Sequence, residues 1–230
     1  MALDVTEIQK RIASLVDVSS SSPTEGGDDW NLRLKYMNMA QAEWEQLYDW
    51  QALYSEFSTQ TSTISGNTSI TLPADFRKLA SFPRIAYNAN NSRDFAEIRP
   101  QEKSMKLDTD PYVYLLHNAS TSTMVVNSGN SDRQLISGAS IFVSYYAAAG
   151  SLVSGSDSSM IPDPNYLVQR SAAFLWESTG DDRFPQAKAE AEKILQRLLQ
   201  RENVFSEAAN DASRVRTVEE TRNSFRIGKD

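Results

Sequence analysis

In the stretch WNLRLKYMNMAQAEWEQLYDWQALYSEF, residues 30–57, the side chains Trp30, Leu34, Met37, Ala40, Trp44 and Leu47 recur at helical spacing. Only an α-helix lays such positions along one side of the chain. The spacing continues through Trp50, Leu53, Tyr54 and Phe57, which predicts one helix of about seven turns. Asp28 or Asp29 stands ahead of it as a cap that accepts a free amide hydrogen. Its length and aromatic load make it the expected centre of a helical layer.

Upstream, Val5, Ile8, Ile12, Leu15 and Val16 predict a shorter amphipathic helix, with Glu7 and Arg11 paired on its outer face, and SSSSPTEGG stops it. Downstream the texture changes. From Ser58 to Ala149 no long helical stripe survives. Short β-branched and aromatic runs at Ile85–Tyr87, Phe95–Ile98, Tyr112–Leu116, Thr123–Val126 and Ile141–Tyr146 are separated by turn residues. They are too close together for the crossover helices of a parallel sheet, so an antiparallel arrangement is expected. Helical spacing returns at Leu167, Arg170, Phe174 and Leu175, after Asp163 as cap and Pro164 in the first turn, where a missing amide hydrogen costs little. A fourth helix begins near Asp182 or Phe184 and carries Ala187, Ala191, Ile194 and Leu198 on one side.

The fold class predicted from this order is α+β, a helical bundle from both chain ends with an inserted antiparallel β-rich unit. Residues 1–57 and 161–203 form the discontinuous helical core, 58–160 the insertion, and 204–230 an extended C-terminal arm. Core packing is assigned to Trp30, Leu34, Met37, Trp44, Leu47, Phe174, Ile194 and Leu198. In the arm only Val215, Val218, Phe225 and Ile227 are sizeable apolar anchors, too few to offset the ordering cost of the backbone without a partner surface.

Composition excludes several chemistries. With no cysteine, disulfides, thiolate metal sites and cysteine nucleophiles are ruled out. His117 is the one histidine, following YVYLL, and reads as a strand-end or turn residue. Asp108 with Asp110, and Asp28 with Asp29, lack the further oxygen ligands of a calcium loop. No phosphate-cradling glycine motif occurs, and the Asn-x-Ser matches at 67–69, 90–92 and 118–120 read as polar turns. The aromatic residues Trp30, Trp44, Trp50, Tyr48, Tyr54 and Trp176 are assigned to packing before any stacking on bases or sugars. A formal charge of -7 speaks against a surface that coats DNA nonspecifically. The opening MALDVTEIQKRIASLVDV makes a poor secretory signal, and no run is long and apolar enough to span a membrane. A soluble chain made in the cytoplasm, with no cofactor, no metal and no catalytic residue, is the expectation.

The order of an N-terminal helix, the 30–57 stretch, LPADFRKL, a β-rich insertion closing in IFVSYYA, then PDPNYLVQRSAAFLWE, a last helix and a loose tail resembles the adaptor, or head-completion, proteins of tailed phages. That resemblance implies a virion component of the neck, not an enzyme, which forms a ring, commonly of twelve copies, beneath the portal protein. It also implies contact with a tail or nozzle protein, and DNA passing through the channel without specific binding. The arm would dock on the portal through Val215, Val218, Phe225 and Ile227, with Arg214 and Arg222 finding carboxylates. A receptor- or carbohydrate-binding tail module is the alternative, weakened because every tryptophan lies outside residues 85–146. A hydrolase is weaker still, since it requires acids gathered round a pocket.

Overall fold

The computed structural model describes residues 3–17, 23–60, 67–86, 95–97, 99–100, 112–117, 121–127 and 140–203. The chain divides into two compact units, residues 1–52 with 151–230, and residues 53–150. The sequence placed these boundaries five and ten residues later, at 57 and 160.

In the helical unit, α1 (Val5–Val16) starts where the Asp4 carboxylate accepts the Glu7 amide hydrogen at 2.8 Å. Helix α2 (Asp28–Leu47) starts from Gly27, which makes no side-chain cap. Asp28 and Asp29 lie inside the first turn, where negative charge meets the positive end of the helix dipole. Helix α3 (Asn165–Thr179) begins with the Asp163 carboxylate accepting from the Asn165 amide at 3.0 Å. It ends on Gly180, whose φ of 70° is the left-handed conformation that glycine adopts without a Cβ clash. The Asp181 carboxylate then accepts the Arg183 amide hydrogen at 2.9 Å, and α4 runs over residues 184–203.

Polar clamps tie these distant segments together. Asn38 holds the Leu152 backbone from both sides, accepting its N–H at 2.8 Å and donating to its carbonyl at 2.9 Å. The Gly155 carbonyl accepts from the Thr6 amide and hydroxyl, each at 3.1 Å, while its own N–H donates to Glu25 at 2.8 Å. A Cβ at Gly155 would stand 2.5 Å from the Thr6 hydroxyl, so the loop approaches α1 this closely only as glycine. Behind these clamps Val5, Ile8, Ile12, Trp30, Met37, Trp44 and Leu167 are fully or almost fully buried. Trp44 and Trp50 stack at 4.8 Å, and the Trp50 indole N–H donates to the Trp44 carbonyl at 2.6 Å.

The long central helix expected from the sequence is shorter than predicted. Tyr48 is already extended, Gln51–Leu53 makes one 3-10 turn, and Tyr54–Gln60 is a strand, β1. Tyr54 and Phe57 kept helical spacing, but they pair across β1 with a second strand, Ser140–Ala147: Tyr54 lies opposite Tyr146, and Phe57 opposite Val143. The rings of Phe57 and Tyr145 meet edge to face at 6.0 Å. Cross-strand aromatic contacts of this kind outweigh local helix propensity.

The remaining strands of the β unit are β2 (Asn67–Thr71), β3 (Phe76–Leu79), β4 (Arg84–Ala86), β5 (Phe95–Glu97), β6 (Arg99–Pro100), β7 (Tyr112–His117) and β8 (Ser122–Asn127), which makes Ser140–Ala147 β9. One sheet has the order β1-β9-β4-β5, with β3 also on β9, and the other β2-β8-β7-β6. The pairings are antiparallel except β6 with β7, which is parallel. Ile70, Phe76, Val113, Met124, Val126, Ile141 and Val143, drawn from both sheets, share one buried cluster. The turn before β3 is fixed by the Phe76 amide donating to the Pro73 carbonyl at 3.0 Å, and by the Tyr145 hydroxyl donating to the Asp75 carboxylate at 3.2 Å.

Candidate docking surface

Helix α2 has more apolar side chains than its buried side uses. Trp30, Met37, Ala40 and Trp44 face inward, and Leu34 is half-buried. Leu32 and Met39, one heptad apart, are 43% and 41% exposed on another side, where Leu47 continues the line at 55%. Leu47 was expected in the core. It lies outside because the helix ends there and the chain turns away at Tyr48.

Between Leu32 and Leu47 this outer side is held by a layered contact with α3. The Tyr36 and Phe174 rings stack at 5.8 Å, and the Arg170 guanidinium lies 4.4 Å from the centre of the Phe174 ring on its way to Glu43. Two parallel bonds of 2.6 and 2.7 Å join Arg170 to the Glu43 carboxylate, the fork geometry that gives a guanidinium its directional grip. The hydrogen bond to Glu43 raises the Arg170 pKa above its ordinary value.

Below that pair lies a groove of about 310 Å³. Helix α2 supplies Glu43, Gln46 and Leu47, α3 supplies Tyr166 and Arg170, and α4 supplies Ala191, Glu192 and Leu195. Tyr166 is only 2% exposed, and burial, helped by the Glu43 charge, pushes its phenol up to about 12. No described residue hydrogen-bonds that hydroxyl. A smaller hollow of about 230 Å³ lies beside Trp176, Arg183 and Gln186, where the buried Trp176 indole N–H has no partner among the described residues.

The structure places the other residues singled out in the sequence as follows. Phe174, Ile194 and Leu198 are buried on α3 and α4. Trp50 and Trp176 are buried as well, and Tyr48 packs edge to face on Trp50 at 5.5 Å. Glu7 and Arg11 pair at 3.4 Å on the outside of α1. His117 ends β7 opposite Ser122. Asp108, Asp110 and the arm residues Arg214, Val215, Val218, Arg222, Phe225 and Ile227 lie outside the described residues. Among the described residues no group of acids or histidines is arranged to hold a metal, and no helix is long and apolar enough to cross a membrane. Sequence reasoning missed the Tyr166–Arg170–Glu43 groove. The signal available was an acid on one apolar stripe and an arginine on another, and spacing alone does not show that the two helices meet.

No curated protein matches the sequence. A family model described as SU10 adaptor protein matches it over residues 3–218, through both units of the fold. Helices from the two chain ends, with a β unit inserted between them in the sequence, all fall within the matched region. The chain belongs to the SU10 adaptor protein family, a family of phage head-tail adaptors.

Proposed function

We propose that the protein docks beneath the portal as a ring of identical subunits, joins head to tail in the phage neck, and leaves a channel for DNA. The observation that carries this reading is the family match over residues 3–218, which makes the chain a structural adaptor. The exposed line Leu32, Met39 and Leu47 supports it, because apolar side chains aligned along a helix mark a contact surface. In a ring the same heterologous contact repeats until it closes, so a modest pairwise affinity suffices. The arm, residues 204–230, docks on the portal by burying Val215, Val218, Phe225 and Ile227 while Arg214 and Arg222 meet carboxylates. Net charge of -7 lets DNA pass without adhering. The subunit carries out no catalysis in this role and uses no cofactor.

The test is co-sedimentation and negative-stain imaging of the protein mixed with its cognate portal. A ring and added mass are expected with the full chain. Deletion after Asn203 is expected to abolish both while leaving the melting temperature nearly unchanged. Undiminished portal binding by the deleted chain would overturn the role given to the arm, and no ring with the full chain would overturn the connector reading.

A further inference from the structure

We propose that in the free subunit the groove between α2, α3 and α4 holds the chain's own basic C-terminal segment, Thr221–Lys229, as a reversible intramolecular cap. The contact is a property of the subunit alone. Its consequence, that the arm is withheld until a partner displaces it, rests on the portal-docking reading above.

The groove and the segment are complementary in three respects. The groove has an apolar floor in Leu47, Ala191 and Leu195, and Leu47 is more than half exposed. The segment TRNSFRIGK offers Phe225 and Ile227, and an extended backbone puts them on one side together with Lys229. Its charge is one-signed, with Arg222, Arg226 and Lys229 and no acid between Thr221 and Lys229. At the rim, Glu43 is already taken by Arg170, and Glu192 has no ion-pair partner among the described residues. Tyr166 lines the same groove, and its hydroxyl makes no hydrogen bond to any described residue, so a passing backbone carbonyl or amide finds a polar group ready for it. A volume of about 310 Å³ is at the lower end of the roughly 300–1,000 Å³ typical of specific pockets, enough for one aromatic side chain and its neighbour.

The connection reaches. Helix α4 ends at residue 203, where Glu202 accepts the Gln51 amide at 3.0 Å and the Tyr48 hydroxyl donates to Asn203 at 3.3 Å. At 1.5 Å per residue, Leu195 is only about 12 Å back along α4 from that exit. Residues 204–220 span several times this distance when extended at roughly 3.3 Å each. A tether of this length holds the segment near the groove at an effective concentration on the order of millimolar, so a weak contact is well populated within one chain.

Because the natural chain has no cysteine, a designed pair of thiols has no competitor. The full-length protein carrying Gln46→Cys and Asn223→Cys is oxidised in a glutathione buffer without portal, and products are separated by non-reducing gel and intact mass. The control carries Lys10→Cys with Asn223→Cys, Lys10 being exposed on α1, which contributes nothing to the groove. The expected result is a linked monomer forming about tenfold faster from the groove pair than from the control. Adding Glu192→Lys to the groove pair, or raising the salt, is expected to remove most of that advantage. Equal rates from the two pairs would overturn the proposal, as would a linked dimer as the main product, which would show the segment seated on a second copy. The portal is absent from the mixture, so failure here leaves portal docking untouched.

Discussion

The helical unit and the β unit solve the same assembly problem by different means. In the first, elements from opposite ends of the chain are fastened by side chains: Asn38 on the Leu152 backbone, Glu25 on Gly155, Arg170 on Glu43. In the second, fastening is by backbone pairing, and one strand, β9, carries β1, β3 and β4. A unit built on side-chain clamps writes its contacts as stripes and caps that a sequence displays. A unit built on strand pairing keeps its contacts in the register between distant segments, which local patterning does not display.

The contrast is open to measurement because Trp30, Trp44, Trp50 and Trp176, the four tryptophans of the chain, all belong to the helical unit. Indole fluorescence therefore follows that unit alone. The largest effect is expected from Trp44→Ala, which removes a fully buried ring stacked on Trp50 and leaves a cavity, at about 3–5 kcal/mol. Denaturant titration read by the three remaining tryptophans checks it. A smaller loss of about 2–5 kcal/mol is expected from Ile141→Ala, at a fully buried position of β9. Far-UV circular dichroism should register it while the fluorescence midpoint stays in place. A midpoint that moves with Ile141→Ala would show that the two units unfold as one.

The smallest expected effect depends on pH. Hydrogen bonds from the Arg183 guanidinium and amide lower the Asp181 carboxyl from its ordinary 3.8 to about 2. A lowered folded-state pKa means the contact stabilises fully above the ordinary value, and the stabilisation is lost as pH falls from about 4 through about 2. Arg183 also lies 4.6 Å from the centre of the Trp176 ring, so the loss should be visible in fluorescence. Asp181→Asn should flatten the profile in that window. An unchanged profile would mean that the α3–α4 turn does not depend on this pair. The carboxylate is partly exposed, so the effect is small and fades with added salt.

The difference between the two units also sets what could be read from sequence. The α+β order, the insertion of strands between helices, the cap at Asp163 and the start of α4 were legible because apolar spacing and capping residues are local signals. The C-terminal end of α2 was not. Trp50, Leu53, Tyr54 and Phe57 satisfy helical spacing, and what makes Tyr54 and Phe57 a strand is the presence of Tyr146 and Val143, 92 and 86 positions away. Of the strand at Asn67–Thr71 only a short extended run ahead of Pro73 was legible, and the strand at Phe76–Leu79 was overlooked, for a related reason. In the first Ile70, and in the second Phe76, is the one buried apolar anchor described, so neither shows an alternation. The groove was illegible because Glu43, Tyr166 and Glu192 lie on three helices, and only packing brings them together.

The position of β9 also governs how the chain is made. Strands β1, β3 and β4 leave the ribosome before the strand that pairs with all three of them. At bacterial elongation rates of roughly 5–20 residues per second, the interval between synthesis of Tyr54 and of Ala147 is on the order of 5 to 20 s. During that time three strand edges wait without their partner, longer than most local folding events take. Slow codons or a stalled ribosome between the β1 and β9 coding regions would prolong that exposure, whereas the same delay once β9 has left the ribosome would find its partner strands free to pair with it.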